Sequence, residues 1–342
     1  MNANDSRGAP VDPAPATSQG PLGSPFRLDE VEAYLRWREQ KLRGYPTHID
    51  ELVVEIEDPA CLRHSERAAL AARCDRANMA LYASGRVRED RTIPLAIARQ
   101  FNLQRLDANW LADEDAISSI QVRGDGPRRE HIPYTDRPIS WHTDGYYNPR
   151  ERCIRSMVLH CVRAAAVGGE NALLDHELAY LMLRDQDPDF IRALSAPDAM
   201  TIPAREDEQG VAREAQTGPV FSVDAVSGRL HMRYTARTRS VLWRDDDATR
   251  AAVCCLEALL AGAGRGVHGW ILTARLAPGM GLLCANVLHT RSGFDDDPAH
   301  PRLLYRARYC DALDFVQPPR GDDPCDSTRN WTHADSLVRC PS

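Results

Sequence analysis

The segment ISWHTDGYYN, residues 139–148, decides how the rest of the chain is read. Read as a strand, it sets His142 and Asp144 two positions apart, on the same side of the backbone. Both side chains can then reach a single ion. The third ligand has to arrive from a distant strand. His289, which closes the apolar run in GLLCANVLHTRSGF (281–294), fits that part. The spacing alone is a weak signal, because a lone histidine on a strand is more often a structural hydrogen-bonding residue.

Two histidines and one carboxylate on one face leave three coordination positions open, the arrangement suited to Fe(II) oxygenases. A second signal lies downstream in PRLLYRARY, residues 301–309. On a strand, Arg302, Leu304, Arg306 and Arg308 share one face. Leu303, Tyr305, Ala307 and Tyr309 share the other. One reading is a solvated edge. The alternative follows from the apolar, aromatic second face, which suits a strand buried on both sides. Buried arginines need anionic partners, and guanidinium binds carboxylate bidentately.

Outward from these segments the texture is β-rich. Short runs such as SMVLHCV, ALLD, PVFSVD, RLHMRY, GWILTARL and GLLCANVLH are separated by Gly, Pro, Asp and Asn turns, the pattern of a sandwich or barrel. ELAYLMLRDQDPDFIRAL and DDDATRAAVCCLEALLAGA interrupt it as helices, with Asp245 to Asp247 placed to favour the second helix N-terminus. Upstream, Leu28 to Arg43 reads as a helix with Val31, Leu35 and Leu42 on one face. ELVVEIEDP reads as a strand, SERAALAARCDRANMALYAS as a helix capped by Ser65, DRTIPLAIARQFNL as a helix and ISSIQV as a strand. The expected division is a disordered tail over 1–25, a helical N-terminal region over 26–110 packing on the core, and a β domain with helical insertions over 111–342.

The chain of 342 residues is 43% hydrophobic and carries a formal charge of -7 from 42 basic and 49 acidic side chains. A nucleic-acid surface should be basic, so nucleic acid is not an expected partner. Nothing reads as a membrane span or a secretory signal. The ten cysteines lack the CxxC pairs of a zinc site. They are expected to be buried reduced thiols in a cytoplasmic protein, Cys254 and Cys255 among them.

At this point the chain resembles the taurine dioxygenase and γ-butyrobetaine dioxygenase superfamily (TauD/TfdA-like). That family carries HxD, a later GG-acid-polar turn, a distal His, and an Arg ten to fifteen residues after it. Here these are His142-Thr143-Asp144, Gly168-Gly169-Glu170-Asn171, His289 and Arg302. The likeness runs from about Ile117 to Asp314. It implies a mainly β fold, a double-stranded β-helix (jelly roll) flanked by helices. It implies an Fe(II)- and 2-oxoglutarate-dependent dioxygenase, with His142, Asp144 and His289 as catalytic metal ligands and O2 and 2-oxoglutarate as co-substrates. Asn171 falls at the position that contacts 2-oxoglutarate, and Arg302 at the position that binds its carboxylate. Arg306 matches a second family arginine that binds co-substrate or an anionic substrate group.

The γ-butyrobetaine branch is close in local wording, but Arg308 stands where that branch offers an aromatic to a trimethylammonium. The resemblance therefore implies hydroxylation of a small, anionic or zwitterionic organic substrate, with Tyr146 and Arg308 as candidate substrate contacts. The carboxylate of Asp144 favours hydroxylation over halogenation, since related halogenases carry a small residue there. Alternatives are a trimethylammonium hydroxylase, a non-oxidative cupin-like metalloenzyme and a non-catalytic jelly-roll module. Family members are often dimers or tetramers, so a homo-oligomer is an expectation. Trp141, His160 and His231 read as core residues, and His176 as a helix cap or a neighbour of the site.

Overall fold

The structure is a computed structural model. It describes residues 21–108, 116–122, 131–207, 210–237, 241–262 and 269–313. Two facing sheets carry the architecture. Their strands, in chain order, are β1 (Val53–Ile56), β2 (Met79–Ser84), β3 (Ser118–Ile120), β4 (Ile139–His142), β5 (Ser156–Arg163), β6 (Asn171–Leu174), β7 (Leu272–Ala274), β8 (Met280–Cys284), β9 (Leu288–Arg291) and β10 (Leu303–Tyr309). The larger sheet has the order β1-β2-β8-β5-β10-β3, and the smaller one β7-β6-β9-β4. All neighbours are antiparallel except β1 and β2.

Each sheet is placed by its buried faces. Between the sheets, Met157, Leu159, Leu282 and Leu304 meet Leu173, Leu174, Leu272 and Leu288. On the outer face of the larger sheet, Val158, Leu283, Leu303, Tyr305, Ala307 and Tyr309 join a second apolar cluster. Helices α2 (His64–Ala77) and α3 (Ile93–Arg99) cover it through Leu70, Cys74, Ile97 and Ala98. The larger sheet is thus buried on both sides, which is why β5 reads as an unbroken apolar run. The face of β10 that carries Arg302, Arg306 and Arg308 points inward, toward the smaller sheet.

Several local expectations change. The first helix, α1 (Val31–Leu42), packs through Tyr34 and Lys41 and leaves Val31 and Leu35 exposed. Its packing face is set by Trp37 on Phe26 and by Lys41 between Asp175 and Glu177. The second helix is not capped by Ser65; Arg63 is the cap residue, and its backbone N–H donates to Glu66 Oε2 at 2.8 Å. Nor does that helix run through ANMALYAS. It stops at Asn78, which sits in the left-handed region (φ 57°), and the next residues form β2. The 26–110 region therefore supplies strands to the main sheet as well as helices. GLLCANVLH splits into β8 and β9 at Asn286 (φ 52°). ELAYLMLRDQDPDFIRAL breaks at Asp187-Pro188 into α4 (His176–Gln186) and α5 (Pro188–Leu194).

The helix α6 (Asp247–Leu260) matches the acidic start read from the sequence, with Asp246 Oδ1 accepting the Thr249 N–H at 2.8 Å. Of the expected tail, residues 1–20 lie outside the described residues. Residues 21–23 are exposed, while Ser24 and Pro25 pack against the body, with Arg184 Nη1 donating to Pro25 O at 2.7 Å. The cysteine expectation is corrected. Cys254 is exposed and Cys255 only half-buried, because the buried stripe of α6 runs through Val253 and Leu256; Cys153 is also half-buried, and Cys61 is disulfide-bonded. No helix among the described residues is long and apolar enough to cross a membrane.

Candidate metal and anion site

The smaller sheet builds the metal constellation by register. His289 on β9 pairs directly with His142 on β4, and their rings stand 4.2 Å apart. Asp144 follows two residues after His142, and His142 Nε2 lies 3.6 Å from Asp144 Oδ1. One donor atom from each of His142, Asp144 and His289 falls within 4.8 Å of the others. Each histidine spends Nδ1 on a backbone carbonyl two residues earlier, His142 on Ser140 O and His289 on Val287 O, both at 2.9 Å. The ring proton therefore sits on Nδ1, and Nε2 keeps its lone pair for a metal. Burial, with the neighbouring His142, depresses the His289 pKa to about 4, so this ring stays neutral at pH 7.

Backbone turns aim these groups. Gly145 follows Asp144 with φ 67°, and a Cβ there would lie 2.3 Å from Ile154 Cγ1, so only glycine fits the turn. Asn286, buried and left-handed, clamps the Asp144 backbone. Its Oδ1 accepts the Asp144 N–H at 2.7 Å, and its Nδ2 donates to Asp144 O at 2.9 Å and Ile154 O at 2.7 Å. The GG-acid-polar turn is equally tight. Gly168 takes φ 76°, and a Cβ there would lie 2.3 Å from Gly293 O.

Three arginines fill the space beside the triad. Arg306 Nη1 lies 3.0 Å from Asp144 Oδ2 and 3.2 Å from Oδ1. Burial opposes ionisation of Asp144. The Arg306 charge outweighs it, with the His142 ring adding to the effect, and the carboxyl is held well below the usual range. Arg306 is thus paired with the carboxylate ligand itself, while its Nε is buried with no acceptor among the described residues. Arg302 is 4% exposed, and its Nη1 likewise finds no acceptor. Its guanidinium lies 5.0 Å from the Phe294 ring, and it lines a small cavity with Asn171, Gly169, Ala165 and Leu304. Burial lowers its pKa. Asn171 Nδ2 donates to Thr290 O at 2.8 Å, which orients that side chain along β9.

Arg291 was not singled out by sequence. It sits two residues past His289, is 4% exposed, and donates to Pro133, Thr135 and Arg137 carbonyls at 3.2, 2.6 and 2.5 Å. Burial, with the like charge of Arg302, pushes its pKa down to about 9. Its spacing from His289, two residues along one strand, was the available signal.

Arg308 departs from its expected part. It does not present an open charge to a pocket. Its Nη2 lies 2.5 Å from Asp107 Oδ2 and its Nη1 donates to Tyr147 Oη at 3.0 Å, and both charged side chains are almost fully buried. Asp107 also holds Arg152 at 2.8 Å. Arg308 is a structural ion pair, and the missed partner Asp107 lies far away in sequence. Tyr146 is half-buried and meets Tyr147 edge-on at 5.2 Å. Trp141 packs on the core and donates to Leu260 O at 2.9 Å. His160 stacks on Tyr82, His231 meets Cys153 at 2.9 Å, and His176 contacts Leu230 O at 3.0 Å, so none of them joins the metal group.

The model of the family described as taurine catabolism dioxygenase TauD, TfdA family matches residues 96–308. A uridine-5'-phosphate dioxygenase from Amycolatopsis sp is 34% identical over 174 residues, 50% of this chain and 61% of that protein. One from Streptomyces sp is 29% identical over 206 residues, 58% of this chain and 71% of that protein. The chain thus spans less than two thirds of the first relative. Among solved structures, a taurine dioxygenase from Burkholderia xenovorans superposes with a TM-score of 0.51 at 18% identity, covering 77% of this chain and 89% of that one. An asparagine oxygenase in complex with Fe(II), 2S,3S-3-hydroxyasparagine and succinate gives 0.52 at 14%, covering 73% and 78%. At such identities these likenesses establish the double-stranded β-helix fold alone.

Proposed function

We propose, from the premise that this chain belongs to the taurine catabolism dioxygenase TauD, TfdA family, that it is an Fe(II)- and 2-oxoglutarate-dependent dioxygenase of a small anionic molecule. The observation that carries this reading is the paired register of His142 and His289, with Asp144 beside them and both Nε2 lone pairs free of other work. Two imidazoles and a carboxylate held well below its usual pKa suit Fe(II). The bound iron and 2-oxoglutarate supply oxidative decarboxylation to succinate and CO2, with one oxygen atom of O2 delivered to the substrate.

The chain's own groups then have assignable parts. His142, Asp144 and His289 would hold the metal. The carbonyls of Ser140 and Val287 fix the two ring orientations, and Asn286 fixes the turn that presents Asp144. Arg302, buried beside the cavity with an unsatisfied Nη1, would take the far carboxylate of 2-oxoglutarate. Asn171 would position that co-substrate from β6. Arg306 keeps Asp144 ionised and has an Nε donor left for an anion. The relatives' names make uridine 5'-phosphate the first compound to try. A small-molecule partner and a cytoplasmic place of work, where 2-oxoglutarate is available, belong to the same reading.

The test is anaerobic addition of Fe(II) and then 2-oxoglutarate to the metal-free chain, read by visible absorption. A weak metal-to-ligand charge-transfer band that needs both additions supports the reading. No band, together with no calorimetric binding of 2-oxoglutarate, refutes it.

A further inference from the structure

Arg213 stands where the oxygenase reading leaves a question, namely what the substrate's own charge would meet. It ends a two-stranded hairpin, Arg205–Asp207 against Gly210–Arg213. Its guanidinium carbon lies 5.5 Å from the ring centre of Tyr147, three residues past Asp144. Tyr147 in turn touches Arg308 and packs on Tyr146. Arg213 is therefore connected through one ring to the inner face of β10.

Its own contacts leave the charge uncompensated. Nη2 donates to Pro203 O at 2.6 Å, and Nε is buried with no acceptor among the described residues. Burial lowers its pKa, and the groups acting on it are the Tyr146 and Tyr147 phenols and the like charge of Arg205. No carboxylate among the described residues pairs with it. Arg308 has Asp107, Arg306 has Asp144 and Arg155 has Asp224, whereas Arg213, like Arg302, has no carboxylate among the described residues. A half-buried cation with a spare donor favours an anionic neighbour. A phosphate group, with its several acceptor oxygens, suits a guanidinium that has a donor left.

We infer that Arg213 receives a phosphate group of the substrate above Tyr147, and that the substrate is a phosphomonoester. This rests on the oxygenase reading and deepens it. Arg213 then sets specificity and leaves 2-oxoglutarate binding to Arg302.

The test uses the full chain loaded anaerobically with Fe(II) and 2-oxoglutarate, with the charge-transfer band as the independent check on the oxygenase reading. Uridine 5'-phosphate, uridine and inorganic phosphate are titrated calorimetrically into wild type, Arg213→Ala and Arg213→Lys. Wild type should bind uridine 5'-phosphate more tightly than uridine. Arg213→Ala should weaken uridine 5'-phosphate by about 10- to 100-fold, as for loss of a charge-assisted hydrogen bond, with uridine affinity and the band unchanged. Arg213→Lys should recover part of the loss. Three results overturn the assignment while an intact band leaves the oxygenase reading standing. They are a wild type that binds neither uridine 5'-phosphate nor phosphate, an Arg213→Ala variant that binds uridine 5'-phosphate as wild type does, and one that loses uridine alike. Absence of the band overturns both.

Discussion

Arg302→Met should separate stability from co-substrate binding, because the two are predicted to move in opposite directions. In the free chain the Arg302 charge is 4% exposed, is pushed toward neutrality by burial, and has an Nη1 without an acceptor. Its compensation is the Phe294 ring at 5.0 Å, worth about 1 kcal/mol, and the longer-range pull of Cys161 and Asp296. Methionine fills much of the same volume without a charge to desolvate. Apo stability should therefore stay level or rise, by about 1 kcal/mol at most. Affinity for 2-oxoglutarate should fall, since truncating one partner of a buried charge pair costs about 2–5 kcal/mol. A central value near 3 kcal/mol is about 150-fold in Kd.

The assay is thermal unfolding of the Fe(II)-loaded protein under argon, with and without 2-oxoglutarate at about 100 times the wild-type Kd. Wild type should gain about 2.7 kcal/mol from the ligand. A variant with a Kd about 100-fold weaker should gain about 0.4 kcal/mol under the same conditions. The reasoning is refuted if the ligand-induced gain persists in Arg302→Met. It is equally refuted if the apo variant loses several degrees, which would make Arg302 a structural residue.

The remaining predictions concern the supports around the site. Arg308→Met should destabilise the fold by about 2–3 kcal/mol, less than a full buried-pair loss because Arg152 still holds Asp107; chemical denaturation should show this with 2-oxoglutarate affinity unchanged. Asn286→Ala frees the Asp144 turn and should weaken Fe(II) binding by about 10- to 100-fold, measured by anaerobic metal titration. His160 has its pKa lowered to about 4 by burial, below the roughly 6.5 of an unfolded histidine. Its neutral form is the one that folds, so its contribution is intact above pH 6.5 and is lost progressively as pH falls toward 4. Urea midpoints measured between pH 7 and 4 should drop accordingly, and His160→Phe should flatten that slope.

Much of this was legible in the sequence where a signal is local. The alternation in 139–148 and 301–309 is a property of strands, so the shared face of His142 and Asp144, and of Arg302 and Arg306, follows from the residues. The Asp245–Asp247 run predicts the α6 start for the same reason, since capping is decided within one turn. Elements that depend on a neighbour were less readable. MALYAS continues a helical pattern, yet β2 forms because it hydrogen-bonds to β8, some two hundred residues away. The Val31/Leu35 face of α1 is apolar but exposed, because the interface is built around Trp37, Phe26 and the buried Lys41.

The sequence by itself determined the types of group at the site and their local periodicity: an HxD strand, a distal histidine, and arginines on one face of a late strand. Only the tertiary structure decided which charges are already answered. Arg308 and Arg306 look alike in LYRARY, but Asp107 reaches the first across the sheet edge and Asp144 the second. The guanidinium groups of Arg302 and Arg213 pair with no carboxylate among the described residues. The physical reason is that strand periodicity fixes direction within one segment, whereas an ion pair over a hundred residues apart exists only once distant segments have been brought together, Asp107 alongside β10 and Asp144 from the facing sheet.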